Sequence, residues 1–153
     1  MIFSEVMRLY PPVWLAARRP EEDLEIGGYV IPKGSCIYSS QYLIHRDSRF
    51  HPNPEQFNPE RFSVEEKAKR PKFYYFPFGA GNRSCIGEGF SWTEGLLLIA
   101  ILAQRWRFRA VPNQRLTLDP LIALQPKQGI RMVLEKRSQM KPFGNQELLE
   151  THQ

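Results

Sequence analysis

Apolar residues along the chain fall first at helical spacing and then at strand spacing. Ile2, Val6 and Leu9 share one face of a helix over residues 2–10. Pro11-Pro12 stops it, since proline lacks the N–H and its ring clashes with the preceding turn. Val13 to Ala17 reads as a short apolar strand. Leu24–Ile26 and Tyr29–Ile31 flank Gly27-Gly28, a hairpin signal with a two-residue turn. Pro32-Lys33-Gly34 turns the chain into a further strand, Ser35 to Ser39. Residues 52–77 carry Pro52, Pro54, Pro59, Pro71 and Pro77 and sustain no period, so an irregular packed loop is predicted. A loop of that length inside a compact domain usually serves a site. One long helix is predicted over 86–104; its apolar residues occur all round between Leu96 and Ala103, which marks a buried core helix. Arg105-Trp106-Arg107-Phe108-Arg109 alternates with period two, aromatics inward and arginines outward. Leu116–Leu124 and Ile130–Leu134 are the last strand candidates. The fold class is α+β over residues 1–137, followed by a polar tail, 138–153, expected to fray.

Composition narrows the function classes. With 153 residues and 42 % hydrophobic positions the chain can bury a core, which excludes general disorder. Cys36 and Cys85 are too few for a disulfide scaffold, and no secretory leader precedes them, so two separate thiols and a cytoplasmic location are expected. Cys36, at a strand-like position, reads as a small buried hydrophobe. The longest apolar run, Leu96 to Ala103, is far too short to span a bilayer. A first residue already inside an amphipathic helix leads us to expect sequence upstream. The net charge of +5 is local: Lys67, Lys69, Arg70 and Lys72 form one cluster, Arg105, Arg107, Arg109 and Arg115 another. No recognition motif accompanies them, so nucleic-acid binding is not expected.

The chemistry concentrates in Phe78-Gly79-Ala80-Gly81-Asn82-Arg83-Ser84-Cys85-Ile86-Gly87. A cysteine opening a helix faces unpaired backbone N–H groups and the positive end of the dipole, a setting suited to an anionic sulfur that ligates metal. The glycines let the backbone turn tightly and a large flat ligand approach. Arg83 adds a permanent cation suited to a carboxylate. At every fixed position the stretch resembles the heme-binding signature of the cytochrome P450 family, Phe-Gly-x-Gly-x-Arg-x-Cys-x-Gly. A chance match at six fixed positions is on the order of 10⁻⁸ per site. The resemblance implies heme (iron protoporphyrin IX) with Cys85 as the axial ligand to iron. It also implies that Phe78 packs beside the sulfur, that Arg83 pairs with a heme propionate, and that Gly79 and Gly87 serve the loop. A zinc site drawn from Cys36, His45, His51 and Cys85 lacks close ligand pairs of the usual spacing.

Two further motifs carry the same resemblance. Glu5-x-x-Arg8 followed by Leu9-Tyr10-Pro11-Pro12 is similar to the family's K-helix motif, and Phe57-Asn58-Pro59-Glu60-Arg61-Phe62 to its Pro-Glu-Arg-Phe segment. The implied fold is the C-terminal part of a cytochrome P450: K-type helix, small antiparallel sheets, proline-rich meander, Cys-ligand loop and long proximal helix. Arg61 is then expected to bridge Glu5 bidentately beside Arg8 in a structural triad. Arg18, with Arg19 one residue away, matches a strand arginine that contacts a propionate. His45 of Ile44-His45-Arg46-Asp47 reads as a packed histidine rather than a ligand. The implied substrate side comprises Val13, Trp14, Leu15 and Ala16 with the turn Leu121, Ile122, Ala123 and Leu124. The implied partners are a lipophilic small molecule, O₂ and an acidic electron-transfer protein (ferredoxin, flavodoxin or a reductase) meeting the basic surface. The family's distal helix, with its acid–alcohol pair, corresponds to no segment here. Three readings stand at this point: a monooxygenase seen through its C-terminal portion, a heme-binding remnant without turnover, and an interaction module without heme.

Overall fold

The computed structural model describes residues 1–137; the predicted tail lies outside the described residues. Helix α1 (Ile2–Leu9) ends where Pro11 begins the next segment. Strands β1 (Ala16–Arg18) and β4 (Ile37–Ser39) pair antiparallel, Ala16 opposite Ser39 and Arg18 opposite Ile37. Between them β2 (Leu24–Ile26) and β3 (Tyr29–Ile31) form the predicted hairpin. Its turn holds Gly27 at φ +59° and Gly28 at φ +83°, both in the left-handed region that only glycine adopts freely. Helices α2 (Gln41–Ile44) and α3 (Val64–Lys69) follow, with a 3₁₀ turn at Pro59–Phe62. Helix α4 (Glu88–Arg105) leads into β5 (Trp106–Ala110), which pairs antiparallel with β8 (Met132–Lys136). Strands β6 (Leu118–Pro120) and β7 (Leu124–Pro126) make a small hairpin. Four separate two-stranded sheets and four helices give an α+β architecture among the described residues.

Several predicted elements shift. The strand expected from Val13 begins at Ala16, because Trp14 and its neighbours serve as acceptors for other segments: the Trp14 carbonyl accepts from Ser40 Oγ at 2.9 Å. The run 116–124 is not one strand; it bends at Leu121–Ala123 between β6 and β7. The loop 52–77 contains α3, capped by the Ser63 side chain accepting from the Glu66 N–H at 3.2 Å. Helix α4 is not a buried core helix in this chain. Leu96, Leu97, Leu98, Ile101 and Leu102 are all exposed, because no other described element covers that side. Phe108 of β5 is likewise exposed, so the inward aromatic face predicted there is only partly covered.

Of the predicted apolar face of α1 only Leu9 is buried, and the charged positions turn inward with it. Ile2 is 55 % and Val6 38 % exposed, while Glu5 and Arg8 are 0 % exposed. Arg8 Nε donates to Glu5 Oε2 at 2.7 Å and Nη2 to Oε1 at 2.8 Å, a bidentate pair. Arg8 Nη1 also donates to the His45 carbonyl at 2.8 Å, and the Asn58 N–H donates to Glu5 Oε1 at 2.9 Å. Arg61 completes the triad, but not as expected. Its Nε stands 3.6 Å from Glu5 Oε1 and makes no hydrogen bond, while Nη2 donates to the Asn53 carbonyl at 2.9 Å. Arg8 already occupies both carboxylate oxygens, so Arg61 adds a charge contact and not a second fork. Few apolar side chains surround this network: Met7, Leu9 and Phe62 are the buried hydrophobes among the described residues.

His45 and His51 are buried beside the pair. Burial, reinforced by the charges of His51 and Arg8, pushes His45 down to about 3, and burial lowers His51 as well. An unfolded imidazole takes up its proton near 6.5, whereas folded His45 stays neutral to about 3. The unfolded chain therefore holds the extra proton throughout that interval. Stability is fully present above pH 6.5 and is lost on acidification, by up to about 1.4 kcal/mol per pH unit for this one group. Urea midpoints between pH 7 and pH 4 check this, and the slope should shrink in His45→Gln. For the ion pair, Glu5→Gln leaves the Arg8 charge buried against a neutral amide and should cost about 3–5 kcal/mol. A loss below about 1 kcal/mol in chemical denaturation, the range of a surface pair, would contradict the buried network.

Candidate functional site

The sulfur-bearing loop is built by short-range backbone bonds. The Gly79 N–H donates to the Phe76 carbonyl at 2.9 Å, and the Cys85 N–H donates to the Phe78 carbonyl at 2.8 Å. Gly79 sits at φ +78°, which a side chain would strain. A 3₁₀ turn at Gly81–Arg83 returns the chain so that Cys85 stands ahead of α4, exposed. Gly87 caps the helix; a Cβ there would lie 3.6 Å from Cys85 Sγ. Phe78 rests on Trp92 with ring centroids 5.7 Å apart, and Phe3 meets Trp92 edge-on at 5.0 Å.

A cleft of about 670 Å³ opens over the sulfur. The structure brings Phe78, Gly79, Arg83 and Cys85 of the loop to one wall, and Val13, Ala16 and Arg18 to another. Arg18, not Arg19, is the strand arginine that faces it. Trp14, Leu15 and the turn Leu121–Leu124 do not line it, nor does Gly87. The turn instead packs on the segment after α1: Trp14 Nε1 donates to the Leu121 carbonyl at 2.9 Å, and the Leu124 N–H to the Pro12 carbonyl at 2.8 Å. Ile122 is fully exposed at its tip. Sequence reasoning missed Phe3, Met7, Gln41, Glu94 and Gly95 on the cleft lining. Phe3 and Met7 stand four apart on α1, a spacing that could have marked one helix face.

The donor set suits heme. A flat apolar macrocycle with two carboxylates needs a soft axial ligand, apolar walls and two cations. Cys85, the Phe3, Met7 and Val13 side chains, and Arg18 with Arg83 supply these in a cleft of ordinary cofactor-site size. No group of three or more His, Cys, Asp or Glu among the described residues could hold a metal ion, so Cys36, His45, His51 and Cys85 form no zinc site. Cys36 is exposed, contrary to its reading as a buried hydrophobe, because it precedes β4 at the open edge of the β1–β4 pair.

The comparisons agree with this geometry. The cytochrome P450 family model matches residues 1–133. The chain belongs to the cytochrome P450 family. It is 39 % identical over 136 residues to cyclooctatin synthase of Streptomyces melanosporofaciens, covering 89 % of this chain and 29 % of that protein. It is 37 % identical over 139 residues to mouse thromboxane-A synthase, covering 90 % of this chain and 26 % of the relative. Retinoic-acid-bound cyanobacterial CYP120A1 superposes with a TM-score of 0.83 at 34 % identity, over 89 % of this chain and 32 % of that structure. The chain thus spans about a quarter to a third of the length of these P450 relatives. The family is one of heme-thiolate monooxygenases, and heme is its cofactor.

The basic clusters are less open than their sequence suggests. Lys69 Nζ pairs with Glu66 at 2.6 Å, and Arg109 with Glu135 across the β5–β8 sheet at 2.6 Å. Arg70 is partly buried, its guanidinium 4.4 Å from the Phe62 ring centroid and donating to the Arg61 carbonyl. It braces the loop and cannot serve a partner at the same time. No helix among the described residues is long and apolar enough to cross a membrane.

Gly95 makes room on α4 for the Phe3 ring. A Cβ at Gly95 would fall 2.6 Å from Phe3 Cζ, whereas one at Gly89 would meet nothing within 4 Å. Alanine gains about 1 kcal/mol over glycine inside a helix, while overpacking costs about 1–3 kcal/mol. Gly95→Ala should therefore lower the melting temperature and change Trp92 fluorescence, and Gly89→Ala should raise it slightly. Equal effects of the two variants would contradict the Phe3 contact.

Proposed function

We propose that this chain forms the thiolate side of a heme monooxygenase that inserts one oxygen atom from O₂ into a lipophilic small molecule. One observation carries the reading: the Cys85 sulfur, Arg18 and Arg83 share one apolar cleft. Cys85 is the axial ligand, and Arg18 and Arg83 neutralise the two carboxylates. When bound, heme supplies the oxygen chemistry, which thiolate ligation favours by pushing electron density toward iron. Phe78, held against Trp92, shares the cleft with the sulfur and gives it an apolar neighbour. Val13 and Ala16 offer the substrate an apolar wall, which the Leu121–Leu124 turn braces from outside the cleft through Trp14 and Pro12. An acidic ferredoxin, flavodoxin or reductase delivers the electrons through the basic surface.

A second reading, a heme-binding chain without turnover, is favoured by a separate observation. The leucine-rich sides of α4 are exposed, so these residues cover the cofactor incompletely, and heme chemistry needs both faces protected from water. The 153-residue chain by itself is expected to bind heme weakly and not to hydroxylate. The ferrous–CO spectrum tests both readings. A strongly red-shifted Soret band in the wild type that disappears in Cys85→Ser supports thiolate ligation. Arg18→Gln and Arg83→Gln together should weaken heme uptake at least about tenfold, the effect of losing one to two charged hydrogen bonds. Coupled turnover by these 153 residues alone would exclude the second reading, and absence of heme uptake would exclude both.

A further inference from the structure

A hydrogen-bonded path runs from the buried ion pair to the sulfur loop, and a histidine side chain sits in the middle of it. Arg8 Nη1 donates to the His45 carbonyl at 2.8 Å. The His45 ring in turn accepts at Nε2 from the Phe76 N–H at 3.0 Å. From Phe76 the backbone bonds to Gly79, and Phe78 holds the Cys85 N–H. Because a backbone N–H can only donate, Nε2 carries the lone pair and the ring proton resides on Nδ1. The ring is fully buried against Tyr75, centroids 5.2 Å apart, and edge-on to Phe76 at 5.4 Å. Nδ1 makes no hydrogen bond among the described residues.

That stranded donor is the informative feature. An unmade hydrogen bond in the interior is costly, and a phenylalanine would fill the same space without it. What phenylalanine cannot do is accept from Phe76. Burial first, then the charges of His51 from the following turn, Arg8 from α1 and Arg46 from its own segment, oppose a positive charge there, and the backbone hydrogen bond with Arg8 offsets them only in part. They keep the acceptor nitrogen free for its bond.

We propose that His45, as the neutral Nδ1–H tautomer, is a positioning residue that fixes the Phe76 backbone and through it the loop presenting Cys85. It touches no reacting atom and acts through Phe76. Its consequence for ligation rests on the reading of Cys85 as the heme ligand, but its test needs no heme.

In the full 153-residue chain, ¹⁵N NMR of the imidazole should show the neutral Nδ1–H form unchanged from pH 8 to pH 5. Titration near the ordinary histidine value, or an Nε2–H tautomer, would overturn the proposal. In His45→Phe, amide hydrogen exchange at Phe76, Gly79 and Cys85 should quicken by about tenfold or more, with β5–β8 amides unchanged. His45→Gln, which returns an acceptor oxygen, should restore part of that protection. A uniform loss of protection, or none, would overturn the proposal. If His45→Phe does not fold, the wild-type imidazole measurement decides. In heme-loaded samples His45→Phe should lose part of the red-shifted ferrous–CO band. Failure of the wild type to take up heme would refute the ligand reading and leave the exchange result to judge His45.

Discussion

Two charges taken wholly out of water, Glu5 and Arg8, set the terms for everything around them. Neither can be left with an open valence, since several kilocalories of solvation are lost per ion. The carboxylate therefore gathers Arg8, the Asn58 N–H and the Arg61 charge, and the guanidinium gathers the His45 and Gln56 carbonyls. Three stretches remote in sequence, around 5–8, 45 and 53–61, are tied at one point. A buried pair adds little net stability over an apolar core of the same volume, but its directional bonds fix where the Asn58 N–H and the His45 carbonyl must lie. With Met7, Leu9 and Phe62 the buried hydrophobes of the described residues, apolar packing alone would define this region poorly.

This constraint also explains what the sequence disclosed and what it hid. Motifs in which a residue type answers a local demand were legible: Gly27-Gly28 for a left-handed turn, Pro11 for a helix stop, Phe78 to Gly87 for the sulfur loop. The partners Glu5, Arg8 and Arg61 were legible through family resemblance. The orientation of α1 was not. Of Ile2, Val6 and Leu9, the apolar positions that predicted the buried face, only Leu9 is buried, because the network draws Glu5 and Arg8 inward. Helix α3 had a readable start signal in the Ser63-x-x-Glu66 pattern, of which the structure keeps the Ser63 cap alone, and proline density obscured it. The contribution of Phe3 and Gly95 to the cleft depends on how two helices approach, a distance that no one-dimensional pattern encodes.

The arginines show the same limit from another side. Arg70 and Arg109 counted as surface charge in the sequence, yet one stacks on Phe62 and the other pairs with Glu135. Long cationic side chains bury their stems and satisfy carbonyls wherever a loop needs bracing. A charge tally therefore overstates the surface open to an acidic partner. Arg18 and Arg83 are set apart by facing a cavity with a sulfur in it.

The site divides into two parts with different physical origins. The sulfur side is built within these residues: backbone bonds fold the loop, Trp92 holds Phe78, and His45 links Phe76 to the ion pair. Directional, short-range bonds of this kind keep their geometry whatever lies beyond the cleft. The apolar side is different, because hydrophobic burial is non-directional and scales with the area removed from water. Along α4 that area is still exposed. Placement of the sulfur and covering of the apolar surface therefore follow separate free energies. The first is set by a few hydrogen bonds and one ion pair, the second by how much of the apolar surface along Leu96 to Leu102 is removed from water.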